Sequence, residues 1–173
     1  MIKSTSFREA FKYYLDIRML KILLLGSISG FPWVLIGSSL SLWLKEDGLS
    51  RSTVGWAGLI FAVYAFNYLW APLIDRLRIP YLNSKFGHRR SWIILMQIII
   101  IISLIVWSFA SPSENLIIII LVGLIIAIAS ATQDITVDAL RIEQIGQYEN
   151  KSMAAGAACL LYTSDAADEL LGV

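Results

Sequence analysis

An all-α membrane protein, with four transmembrane helices and a truncated fifth, is the fold class this sequence predicts, and three observations predict it. The 173-residue chain is 57% apolar, while Asp, Glu, Lys and Arg make up only 16% of it, well below the quarter usual in soluble domains. The charges are segregated, leaving uncharged runs at 22–44, 53–74, 91–113 and 115–133, of 23, 22, 23 and 19 residues, each long enough to cross a bilayer. The basic residues cluster at alternate ends of those runs. Together these exclude a soluble enzyme with a conventional core, a disulfide scaffold and a nucleic-acid binder acting through a basic face, since net charge is only +1.

Residues 1–21 carry Lys3, Arg8, Lys12, Arg18 and Lys21, and Phe7, Phe11, Tyr14 and Leu15 recur at helical spacing. That pattern predicts a cytoplasmic amphipathic segment lying on the membrane surface. The first apolar run is too long for a cleavable signal peptide and lacks a small-x-small cleavage site, so it is expected to stay in the mature chain. Within it, Gly26 and Gly30 form a small-xxx-small pair, followed by Pro32 and Gly37. Such residues allow close helix packing, and Pro32 frees a backbone carbonyl; the sharper alternative is a bent, pore-lining helix.

The loop at 45–52 holds only Lys45 and Arg51, whereas the loop after the second run holds Arg76, Arg78, Lys85, Arg89 and Arg90. With Arg141 and Lys151 after the fourth run, 12 of the 14 basic residues fall on the amino-terminal side. The positive-inside rule therefore puts the amino terminus in the cytoplasm. Trp43, Trp56, Trp70, Trp92 and Trp107 lie near the ends of the runs, as an interfacial aromatic belt requires.

Asp75 closes the second run, and Arg89 and Arg90 open the third. These can form a charge cluster whose pairs rearrange when helices rock, although positive-inside anchoring alone accounts for the arginines. His88, the sole histidine, is expected to be solvated among its basic neighbours rather than to relay protons.

The fourth run continues into Gln133, Asp134, Asp138 and Arg141, so two carboxylates sit one turn apart on one helix face. A carboxylate at membrane depth is costly to keep ionised, which suits a group that takes up and releases protons. The structural alternative pairs Asp138 with Arg141 and Asp134 with a loop arginine. An intramembrane aspartyl protease fits poorly, because its two carboxylates must come from opposing walls of a site. No catalytic residue, cofactor site or nucleotide-binding loop is legible, and the one cysteine, Cys159, has no metal-ligand spacing around it.

Three segments in order, LWAPLIDR at 69–76, FGHRRSW at 86–92 and SATQDITVDALR at 130–141, resemble the AmpG-type muropeptide permeases of the major facilitator superfamily over residues 1 to about 158. The acetyl-coenzyme A transporters share a similar TQDI-x-VD stretch, and an organic-anion carrier of that kind is the alternative within the superfamily. The resemblance implies that residues 22–158 supply part of the amino-terminal six-helix half of a two-half fold. It also implies import of anhydro-muropeptides across the bacterial inner membrane, driven by protons, for peptidoglycan recycling. By motif, Asp75, Arg76, Gly87, Arg89 and Arg90 match the superfamily's gating loop, and Asp134 and Asp138 match the fourth-span acids, with Gln133 beside them. Two departures are Ala71, where the superfamily often has glycine, and the longer 77–85 loop.

A fifth span begins at 153–158, but the acids Asp165, Asp168 and Glu169 break it. Residues 159–173 resemble a translated transposase sequencing adaptor, so a non-native tail is expected there. Four spans would leave one side of a central cavity unwalled, and the chain as written is not expected to transport by itself. A non-transporting membrane scaffold is the alternative from a different functional class.

Overall fold

The computed structural model describes residues 17–145 and Ala157. The amphipathic segment, the start of a fifth span and the acidic tail lie outside these residues, Ala157 apart. Among the described residues, four helical stretches are long and apolar enough to cross a membrane: Met19–Glu46, Arg51–Leu69, His88–Ser108 and Pro112–Gln144. No strand occurs among the described residues. The expected all-α membrane fold is therefore present.

Local chemistry accounts for the irregularities. Pro32 lies inside the helix Ile17–Val34, where it offers no N–H to the carbonyl four residues back. A wider π-helical segment follows at Leu35–Leu40, as happens where the regular ladder is interrupted. Within it, a Cβ at Gly37 would come 2.9 Å from Cζ of Phe61. The glycine thus lets the first and second spans approach.

The second span is shorter than the 53–74 run. It tightens into 3₁₀ turns at Gly58–Phe61 and Asn67–Leu69, and a separate helix, Ala71–Arg76, follows with Pro72 in its first turn. Proline disfavours helical backbone at the residue before it but is well suited to starting a helix. The uncharged run therefore contains a break that charge alone does not reveal. The 77–85 loop is also partly helical, at Leu82–Phe86, entered through Tyr81 at φ 66°.

The third span begins after Gly87, whose φ of 84° is easily adopted without a side chain. Its buried residues Ile93, Met96, Ile100, Ser103 and Trp107 trace one helical face. That face packs along the fourth span, which also meets the first and second and so forms the centre of the bundle. At the close crossing, a Cβ on Gly123 would meet Ile60 at 3.0 Å and Trp107 at 3.1 Å. Trp107 is only 7% exposed and donates its indole N–H to the Ile119 carbonyl. It is a core residue rather than part of an interfacial belt. Outward-facing side chains such as Leu24, Ile102, Ile105, Ile117 and Leu121 remain exposed, as lipid-facing positions do.

At one end of the bundle, Asp47 Oδ2 accepts a hydrogen bond from the Ser113 backbone N–H. Ser113 lies in the first turn of the helix Pro112–Ile145, ahead of a kink at Asn115. The free N–H groups there attract a carboxylate.

Candidate functional site

The fourth span keeps its helix to Ile145, eleven residues past Asp134. Asp134 and Asp138 are thus carried inside a continuous helix rather than in a loop. Both line one cavity of about 550 Å³ between the first, second and fourth spans. From the first span, Gly26, Ser29, Gly30 and Trp33 face it; from the second, Tyr64; and Arg141 lies below the two acids. The spacing of 26, 29, 30 and 33 is that of one helix face. The small-xxx-small pair accordingly borders open space rather than only a packed seam.

Each acid has a different partner. The Ser29 hydroxyl donates to Asp134 Oδ1, across 105 positions of sequence. Asp138 pairs with Arg141 three residues on, at 3.1 Å. The structural alternative for Asp138 is therefore present, whereas Asp134 meets a serine and not a loop arginine. Asp138 remains half exposed and Arg141 is largely enclosed, so the pair forms a charged rim around the cavity.

Behind the acids lies an unusual polar layer. Ser130, Gln133 and Thr136 are fully buried. Thr136 donates to the Thr132 carbonyl, and Trp70 donates its indole N–H to the Thr132 hydroxyl at 3.1 Å. Both amide atoms of Gln133 lack a partner, and the Tyr64 and Ser130 hydroxyls lie near one another without closing a hydrogen bond among the described residues. Buried polar groups are costly when unpaired, so this layer holds unused hydrogen-bonding capacity beside the acids. Trp33, Phe61 and Tyr64 form an aromatic wall beside it, with Trp33 and Phe61 edge to face at 4.8 Å.

A second cluster forms at the opposite end of the bundle from the Asp47–Ser113 contact. Arg89 pairs with Asp75 and, through Nε at 3.0 Å, with Glu143. His88 Nε2 lies 3.0 Å from the Ile74 carbonyl and is half buried, so it is held by the bundle rather than freely solvated. Gly87 shapes the entry to this helix. Arg76 and Arg90 are not brought in: among the described residues neither has an ion-pair partner. Arg90 instead faces a groove bordered by the first span.

Ser29, Tyr64, Trp70 and Glu143 were not anticipated from the sequence. Its place on the face of Gly26 and Gly30 is the signal that points to Ser29, though not to its partner, and Glu143 requires knowing that the fourth helix continues past Arg141. No group of three or more metal-ligating side chains occurs among the described residues.

No family model and no solved structure matches the chain. It is similar to several rickettsial proteins named, provisionally, as transporters. AmpG 4 of Rickettsia felis is 36% identical over 87% of this chain and 36% of its own length. AmpG 1 of Rickettsia conorii is 40% identical over 73% of this chain and 30% of its own length. AmpG 3 of Rickettsia typhi is 38% identical over 82% and 34%, respectively. The chain thus spans about a third of the length of the curated relatives it matches.

Proposed function

The chain is AmpG-type in sequence over most of its length, and on that premise we propose that it supplies the first spans of a proton-coupled importer of anhydro-muropeptides, acting in peptidoglycan recycling. In this reading residues 22–158 belong to the amino-terminal half of a major facilitator fold in the bacterial inner membrane, with the amino terminus cytoplasmic. Residues 159–173 are foreign to it.

The observation that carries the reading is the placement of Asp134 and Asp138 on one wall of a cavity between spans. Ionisable side chains inside a span are expensive, and line ion or substrate pathways. Asp134 exchanges protons while Ser29 holds its carboxylate. Asp138 and Arg141 form an ion pair that an anionic substrate group opens by competing for the guanidinium. Tyr64 and Trp33, which line the cavity, offer a hydroxyl and a flat apolar face to the rest of the substrate, and Gln133, buried behind them, supports the acid-bearing face of the fourth span. Arg89, held between Asp75 and Glu143, fastens one end of the bundle until helix rocking separates them.

The test is uptake of labelled anhydro-muropeptide by proteoliposomes containing the complete reading frame that carries this sequence. An imposed pH gradient should drive accumulation, and Asp134→Asn should abolish that drive while leaving the protein inserted. Gradient-independent uptake, or none by the intact protein, would defeat the reading.

A further inference from the structure

Outside the cavity, the first, third and fourth spans enclose a groove of about 420 Å³. Its lining repeats one pattern three times. Lys21 on the first span is followed three and four residues on by Leu24 and Leu25. Arg90 on the third span is followed at the same intervals by Ile93 and Ile94. On the fourth span, which runs the other way, Gln144 lies four residues beyond Leu140. In each case a polar group stands at the end of the bundle and an apolar one lies about 5 Å deeper, one helical turn into the membrane.

Lys21 and Arg90 are exposed and have no ion-pair partner among the described residues. Arg89, their neighbour, is already committed to Asp75 and Glu143. Among the described residues, two unpaired cations therefore face outward over an apolar floor at one end of the spans. Basic recesses between transmembrane helices take acidic lipid headgroups for this reason.

We propose that this groove is a binding site for an anionic phospholipid, with the phosphate between Lys21 and Arg90 and an acyl chain on Leu24, Leu25, Ile93 and Leu140. Gln144 hydrogen-bonds the headgroup at the rim. The site rests on the placement of the three helices and is independent of what the central cavity transports.

Native mass spectrometry of the full chain in detergent, given equal phosphatidylglycerol and phosphatidylcholine, tests it. Phosphatidylglycerol should be retained roughly thirtyfold more than phosphatidylcholine, as two basic contacts imply. Lys21→Gln with Arg90→Gln should bring that ratio to about one with helicity unchanged by circular dichroism; both side chains are exposed, so no buried contact is lost. Leu24→Trp with Ile94→Trp should also reduce the adduct although both cations remain, because the groove is filled. Equal retention of the two lipids would overturn the proposal, as would selectivity that survives the double Gln variant. An undiminished adduct in the groove-filled variant would show surface attraction alone and likewise overturn it. Displacement by glycerol 3-phosphate as effective as by phosphatidylglycerol would mark a soluble-phosphate site instead.

Discussion

Asp75 and Glu143, 68 positions apart in the chain, are held together by one guanidinium, that of Arg89, which pairs with both. The contact ties the segment after the second span to the starts and ends of the third and fourth. Both carboxylates are more than half exposed, so the pairs contribute only about 1 kcal/mol or less each to stability. Their effect should lie in which arrangement of helices is populated. Arg89→Ala should leave the unfolding midpoint in detergent nearly unchanged. In a Cys159→Ser background it should raise alkylation of a cysteine introduced by Ile74→Cys several-fold, since Ile74 is 3% exposed and its carbonyl lies against His88. Equal labelling would reduce the cluster to surface decoration.

The two acids should separate by function. In the complete transporter, Asp138→Asn leaves Arg141 without its partner, so substrate affinity should change while coupling to the pH gradient persists. Asp134→Asn should show the converse. Identical phenotypes in uptake assays would mean that the two carboxylates act as one site.

Gly123 has no room for a side chain: its surroundings are Ile60 and a Trp107 ring fixed by its hydrogen bond to Ile119. Gly123→Val should destabilise the bundle by about 1–3 kcal/mol, the usual cost of overpacking, measured as a lower unfolding midpoint. Ile60→Ala in the same chain should recover part of that loss.

Trp70 and Thr132 form a cross-span hydrogen bond. Trp70→Phe and Thr132→Val should each cost about 1 kcal/mol, and the double variant should cost less than their sum, as a double-mutant cycle requires for a direct contact. Additive losses would show that the bond contributes nothing.

Resequencing the locus with a library made without transposase adaptors should replace residues 159–173 by an apolar stretch that completes a fifth span. A frame that reads the same Asp165, Asp168 and Glu169 would show that the acidic tail is native and would favour the scaffold alternative.

The number and approximate position of the spans were legible because a helix that faces lipid must keep charge out over its length. The break before Pro72 was harder to read, since Trp70 and Ala71 are uncharged and leave the run unbroken. The pairing of Asp75 with Arg89 and of Asp138 with Arg141 followed from sequence proximity and charge. Ser29 and Glu143 did not follow, because their partners lie far away in the chain and only the packed bundle brings them together. Trp107 lies near a run's end yet faces the core, because position near an end does not decide whether a side chain faces outward. Arg90 looked equivalent to Arg89; one residue further along a helix is a rotation of about 100°, which turns it to another groove.

The Asp47–Ser113 contact joins the first and fourth spans at the end remote from Arg89, where the second, third and fourth are joined. The fourth span is the only member common to both fastenings. Releasing Arg89 would therefore let the third helix swing against the fourth at that end, while Trp107, bonded to the Ile119 carbonyl, holds the two together near the other. The arc of that swing would be widest beside Arg89 and smallest beside Asp47, so distances measured between probes at the two ends should change by unequal amounts.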